Sequence, residues 1–402
     1  MNIIGVVSEY NPFHNGHAYH LAMSRRMLGG DCPVVCVMSG DFVQRGEPAL
    51  YSKFARAEAA CRSGADLVLE LPLPWALSSA EGFARGAVGL LTRLGVTHLS
   101  FGSESGELEP LDHIARSLLD PMLTVQIRER MAQERNLSFP AARQQVLEEE
   151  LGELARQLEM PNNILAVEYL KAIYELDSTL RPITVLRFGS GHDREGSSGP
   201  RSASELRRAL LNGTDISPHI PAEAAAVYHR EREQGRELNN RPAVELAMLS
   251  RLRMFDEAYY NNLPDAAEGL GSRIYRAVQE ESTLDAVLAA AKTRRYPLAR
   301  IRRICMCACL GIKAGMNEGM PPYARVLAAN ERGCELLHAF SRKSSLPILT
   351  KPAAVRQLSP ESVKLFALGA QAHDFFTLAY PSPGERKGNQ DWRKSPVIVK
   401  NI

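Results

Sequence analysis

Short apolar runs alternate with stretches of helical spacing through the first half of the chain. Ile3 to Val7 reads as a first buried strand, and Val34 to Met38, Leu67 to Leu71, His98 to Phe101 and Ile183 to Phe188 repeat the pattern. A helix is expected to begin near Asn15, a second covers about Ser52 to Arg62 and stops at Gly64, and a third runs from Ser78 to Leu94 and ends at Gly95. Strands alternating with helices predict βαβ units and a parallel sheet, an α/β fold.

Beyond the fourth strand the pattern changes. Residues from about Leu108 to Met160 are charged and helical, as an insertion packed beside the sheet would be, and Pro161-Asn162-Asn163 starts another helix. A polar loop from Gly189 to Gly199 follows the fifth strand, and Ser202 with Glu205 matches a capping box. From about Pro218 to Ile312 the spacing is almost wholly helical. Pro321 to Tyr380 mixes short apolar strands with helix, and the polar tail from Pro383 is expected to be mobile. The reading divides the chain into residues 1–215, a sheet domain; 216–315, a helical domain; and 316–402, a small α/β segment.

Composition narrows the class. With 402 residues, 45% hydrophobic and 23% charged, the chain has enough material for a sizeable core and no sign of disorder. The apolar start is too short for a secretory leader, and no apolar stretch reaches the roughly 18 residues of a membrane span. Seven scattered cysteines suit a reducing compartment, so a cytoplasmic protein is expected. Cys305, Cys307 and Cys309 alternate along a helix and read as buried thiols, not a metal cluster. Net charge is only +2, so any nucleic-acid binding needs a local patch. The densest basic run is Lys292, Arg294, Arg295, Arg300, Arg302 and Arg303, with Tyr296 interleaved; it reads either as a solvated face or as a seat for RNA.

The chemistry gathers in the loops after the strands, where open parallel sheets bind ligands. The first carries Glu9-Tyr10-Asn11-Pro12-Phe13-His14-Asn15-Gly16-His17. Pro12 holds Asn11 extended and Gly16 admits close backbone approach. His14 and His17, three apart at a helix start, share one face beside unpaired N–H groups, where a phosphate chain is favoured. A zinc reading is weaker, since no further ligand follows at a recognisable spacing. Asp41, Gln44 and Arg45 are further pocket candidates without roles, and Ser202, Ser204 and Arg207 offer either a helix cap or a phosphate contact.

The stretch Gly5 to His17 resembles the nucleotidyltransferase superfamily of the His-x-Gly-His type, and more closely the bacterial tRNA(Met) cytidine acetate ligases. The likeness continues through Met38 to Ala49, Ser100 to Glu104, Pro161 to Leu165, Arg294-Arg295-Tyr296, Pro321 to Leu327 and Ser344 to Ile348, nearly the whole chain. It implies a Rossmann-like nucleotidyltransferase domain followed by a mainly helical domain. It also implies an enzyme that uses ATP, with Mg²⁺, to activate acetate as acetyl-adenylate and acetylates N4 of the wobble cytidine of elongator tRNA(Met). His14 and His17 are then the catalytic pair. ATP contacts map onto Val7, Ser8, Glu9, Tyr10, Asn11, Pro12, Phe13, His14, Asn15, Gly16, His17, Ala18, Tyr19 and His20, with Gly102, Asn162, Arg187 and Phe188. Asn163 is an equal match beside Asn162. Lys292, Arg294, Arg295, Arg300, Arg302 and Arg303 fall to the tRNA backbone, and neither a membrane nor an obligate protein partner is implied.

Two other classes share the N-terminal motif. A small-molecule nucleotidyltransferase would add AMP or CMP to a phosphorylated metabolite, but it needs no long basic helical stretch. A nucleotide-sensing RNA-binding module would not need both histidines.

Overall fold

A computed structural model describes residues 1–134, 137–187, 202–238 and 241–400. Phe188 lies outside the described residues. Five parallel strands form the centre of the fold: β1 (Ile4–Ser8), β2 (Val34–Ser39), β5 (Leu67–Leu71), β6 (His98–Ser103) and β7 (Arg181–Leu186). Between β2 and β5 stands a small antiparallel hairpin, β3 (Phe42–Val43) and β4 (Glu47–Pro48), in a stretch expected to be loop. The sheet order runs β5-β2-β1-β6-β7, so strands are added outward from β1 first on one side and then, from β6, on the other. Ile4 pairs with Val34 on one side and His98 on the other, which brings the loops after β1 and β6 together at the switch point. All six residues of β2 are buried, as covering both sheet faces requires, and hence the strands read as continuous apolar runs.

The C-terminal segment, residues 316–402, does not stand apart from this sheet. Strand β8 (Ala324–Ala329) lies antiparallel to β5, with Glu70 opposite Arg325, and β9 (Ile348–Leu349) and β10 (Val397–Ile398) pair with β8. The tail, expected to be mobile, is therefore tied in. Asp391 is fully buried and accepts from Arg325 and Lys53, and β10 joins the sheet edge. A lone polar tail reads as solvent-exposed only when its partners, hundreds of residues upstream, are unknown.

Around the sheet, Leu111, Ile114 and Val146 of the charged helical stretch enter the same buried cluster as Val35, Leu69 and Leu99. The helices between Arg241 and Leu310 gather round a second cluster, which also takes in Phe42, Leu77 and Phe376. Cys305, Cys307 and Cys309 are buried there, and burial pushes the Cys305 and Cys307 thiols up to about 12, which keeps them protonated.

Candidate active site

The first strand delivers its chain into a constrained turn. Tyr10, a non-glycine residue at φ +47°, is held in the left-handed region by burial and by edge contacts to Phe13 and His17. The helix Asn15–Met27 follows, with His14 as its N-cap. Here the histidines cap the helix themselves. Nδ1 of His14 accepts from the Gly16 N–H (3.0 Å), and Nδ1 of His17 accepts from the His14 N–H (3.2 Å). A neutral imidazole that accepts at Nδ1 carries its proton on Nε2, so both rings present an Nε2–H donor. Their centroids lie 3.8 Å apart. Gly16 has a local reason to be glycine, because a Cβ there would stand 2.8 Å from Cε1 of His14.

Both rings are neutral near pH 7. Burial, then Arg187 and His219, lowers His14 to about 4, and burial with His14 and Arg187 nearby holds His17 well below the usual range. His20, also lowered to about 4 by burial and Arg187, belongs to a polar relay. Ser24 Oγ donates to the His20 carbonyl (2.7 Å), so Ser100 donates to Ser24 (2.7 Å) and His20 Nε2 donates to Ser100 (3.0 Å).

A cavity of about 320 Å³ opens against these rings. Gly102, on β6, keeps its wall thin: a Cβ would lie 3.0 Å from Cγ of Arg187, whose side chain crosses there. The two asparagines separate cleanly. Asn163 is fully buried, its carbonyl accepting from the Glu104 N–H and its amide donating to Gln157, whereas Asn162 lines the cavity. The N-terminus of their helix, Pro161–Glu175, is occupied by the Glu104 carboxylate, which accepts from the N–H of Asn163 (3.1 Å). Opposite, Arg207 donates to the Asn11 carbonyl and Ser204 Oγ, and Glu9 accepts from the Gln44 N–H at 2.7 Å. Burial raises the Glu9 pKa against the pull of Gln44 and Arg45.

Comparison with known proteins fits this geometry. Residues 1–391 match the model of the HIGH Nucleotidyl Transferase family. The tRNA(Met) cytidine acetate ligase of Syntrophomonas wolfei is 37% identical, with 99% of each chain covered, and that of Acetivibrio thermocellus is 33% identical over 99% of this chain and 100% of its own. The chain belongs to the tRNA(Met) cytidine acetate ligase family. Among solved structures, Thermotoga maritima TmcAL bound with alpha-thio ATP superposes with a TM-score of 0.90 at 31% identity, and its apo form with 0.93 at 32%, each over the whole of both chains.

For a member of this ligase family, the site residues expected from sequence divide in two. Val7, Ser8, Glu9, Tyr10, Asn11, His14, His17, His20, Gly102, Asn162 and Arg187 line the cavity, with Gln44, Arg45 and Arg207. Pro12, Phe13, Asn15, Gly16, Ala18 and Tyr19 are outside the lining; Phe13 is buried behind it, its N–H donating to Tyr228, and Asn15 is exposed. Asp41 is also away from the cavity. It accepts from the Lys53 N–H and pairs with His373 (2.8 Å); against the upward push of burial, His373 and Lys53 hold it down at about 2.

Sequence reading missed Arg56, fully buried on the helix Lys53–Arg62. Its guanidinium donates to the carbonyls of Glu9, Ser39, Gly40 and Tyr51, pinning the ends of β1 and β2 beneath the pocket. The available signal was an arginine set between two alanines, Ala55 and Ala57, on an alanine-rich helix.

The basic run lies elsewhere, across the loop before and the first turns of the helix Leu298–Leu310. Lys292 and Arg294 are exposed, and among the described residues neither has an ion-pair partner. Arg295 pairs with Glu268, Arg303 with Asp265 and Arg302 with Glu47, while Arg300 donates to the Asp265 carbonyl. Tyr296 is not the interleaved aromatic that the run suggested. It is 8% exposed, with Arg295 and Arg300 over its ring and its hydroxyl donating to the Glu268 carbonyl.

Proposed function

We propose that this protein is an ATP-dependent acetate ligase that forms acetyl-adenylate and then acetylates N4 of the wobble cytidine of elongator tRNA(Met). One observation carries the site assignment: two neutral imidazoles, each with Nδ1 engaged in capping the helix, aim Nε2–H donors from a helix N-terminus. Such donors, fixed before substrate arrives, stabilise the negative charge that develops on phosphoryl oxygens and leaving pyrophosphate as acetate attacks the α-phosphorus. Arg187 supplies a full positive charge beside them, and Asn162 and Gly102 bound the same wall. Among the described residues no group of three or more His, Cys, Asp and Glu is arranged to hold a metal; Mg²⁺ accompanying ATP would offset part of the phosphate charge. No protein nucleophile is needed, because acetate itself attacks.

The Lys292 and Arg294 side chains lead the tRNA contact, as exposed cations. Where the protein acts is read as the cytoplasm; no described helix is long and apolar enough to cross a membrane. The deciding experiment supplies ATP, labelled acetate and tRNA and looks for acetylcytidine in the digested RNA, alongside acetate-dependent ATP–pyrophosphate exchange. Transfer of AMP to a phosphorylated metabolite, with no acetate-dependent exchange, overturns the reading in favour of a small-molecule nucleotidyltransferase.

A further inference from the structure

A second cavity, of about 260 Å³, adjoins the nucleotide pocket and shares Glu47 and Arg207 with it. The turn between β3 and β4 forms the partition. Gly46, at φ +77°, packs so closely on the helix Leu298–Leu310 that a Cβ would stand 2.5 Å from the Arg303 nitrogen. That contact seats Glu47 against Arg302, and both side chains keep about a third of their surface exposed (33% each). Val244, Met248 and Leu288 give the other walls apolar faces, beside Asp285 and Glu245, whose carboxylate accepts from the Leu284 N–H at 2.8 Å. The cavity thus has apolar faces, the Glu47 carboxylate beside the Arg302 guanidinium, and two lining residues, Glu47 and Arg207, in common with the site where an activated acyl group would form.

We propose that this cavity seats the acceptor cytosine ring, with Glu47 facing N4 and Arg302 facing N3 and O2. The inference rests on the ligase reading above and names the acceptor site within it. Cytosine presents an amino donor next to two acceptors, and a carboxylate accepting from N4 beside a donating guanidinium is the complementary pair. Uracil would put a carbonyl oxygen against the Glu47 carboxylate and be rejected. The volume lies just below the ~300–1,000 Å³ of drug-sized pockets, which suits one pyrimidine ring held between aliphatic side chains after it leaves the anticodon stack. In the transfer step, the N4 lone pair forms the new N–C bond to the acetyl carbonyl. The C–O bond to the adenylate breaks with its electron pair leaving on AMP, and Glu47 takes the proton that N4 loses.

Two half-reactions separate this proposal from the reading beneath it. Val244→Trp, a substitution at a half-buried position on the cavity wall away from the nucleotide pocket, should fill the cavity. It should leave acetate-dependent ATP–pyrophosphate exchange within about twofold and cut acetyl transfer to tRNA(Met) by roughly a hundredfold or more. Leu211→Trp, also on the cavity lining, serves the same purpose and guards against a folding defect in either variant, judged by circular dichroism. Glu47→Gln should lower transfer by a similar factor and flatten its dependence on pH, because the amide still accepts from N4 but takes no proton. Folded Val244→Trp and Leu211→Trp proteins that transfer acetyl at the wild-type rate, or that lose exchange and transfer in parallel, overturn the acceptor site. Absence of acetate-dependent exchange in the wild type overturns the ligase reading instead.

Discussion

Two of the places where the molecule buries titratable groups treat them in opposite ways. In the first, Lys53 lies 2.8 Å from both Glu70 and Asp391, Arg325 lies 2.7 Å from Asp391 and 3.1 Å from Glu70, and His373 lies 2.8 Å from Asp41. Three carboxylates meet two fixed cations and a histidine inside the fold. In the second, around the cavity after β1, His14, His17 and His20 crowd with Arg187, and their protonation is suppressed by burial and by one another. Glu104 is committed to a helix N-terminus and Glu9 to the Gln44 N–H. The first cluster is complete without a ligand and fastens the C-terminal tail and β8 to the sheet. The second offers donors and positive potential in excess, and an incoming polyanion completes it.

The largest effect should come from unbalancing the complete cluster. Lys53→Met leaves Glu70 and Asp391 facing each other with one cation fewer, and removing one partner of a buried ionic network costs about 3–5 kcal/mol. Urea unfolding should show that loss. Asp391→Asn added to Lys53→Met should recover part of it, and a strictly additive double variant would break the claim that these charges form one unit.

The histidine cluster should respond in function and not in stability. His17→Ala removes one Nε2–H donor and should lower acetate-dependent pyrophosphate exchange by roughly 10²–10³. The lost cap should cost only about 1 kcal/mol in unfolding. A variant that unfolds as readily as Lys53→Met would erase the distinction between the two clusters.

A smaller and more diagnostic effect concerns protons. In the free protein His14 and His20 titrate at about 4, below the ~6.5 of an unfolded chain. The unfolded state therefore binds more protons between those values, and these histidines make stability fall as pH drops from about 6.5 towards 4. ATP reverses the local field and raises both values, so binding near pH 5.5 should take up protons, and the uptake should fade by pH 7.5. Calorimetric titration in two buffers of different ionisation enthalpy measures it, and proton release on binding would contradict a pocket awaiting negative charge.

Why one cluster was legible in the sequence and the other was not follows from distance along the chain. His14, Gly16 and His17 lie within one helical turn of one another, shortly after the first strand, and the capping geometry that sets the tautomers is as local as the motif. The five strands, the helices between them and the Ser202 capping box were readable for the same reason, since each rests on short-range periodicity; the order of the strands in the sheet, with its return at β6, was not. Lys53 and Asp391 are 338 residues apart, and Glu47 and Arg302 are 255 apart. No pattern of spacing reports such pairs. A buried lysine in an alanine-rich helix, or an aspartate in a polar tail, looks the same as a solvated one until the fold brings its partner. Tyr296 misled for a related reason. Its aromatic ring among cations suits a stacking platform and a buried core residue equally, and only packing separates them.

The same contrast between completed and uncompleted charge operates within the basic run and gives the finest test. Arg295 and Arg303 already face Glu268 and Asp265, so releasing them to a phosphate means breaking an ion pair. Lys292 and Arg294 stand exposed without such partners among the described residues. Each phosphate neutralised contributes about 0.7–0.9 to the slope of log affinity against log salt, depending on whether the strand is single or double. Lys292→Ala and Arg294→Ala should each reduce that slope for tRNA(Met) by nearly one, without altering which tRNA is preferred, because backbone contacts carry no sequence information. Arg295→Ala and Arg303→Ala should change the slope less, since each also frees a carboxylate that had been screened. Equal slopes for all four variants would mean that the ion pairs open on binding. The whole run would then act as one seat for tRNA, and its apparent division into spent and available charge would belong to the free protein alone.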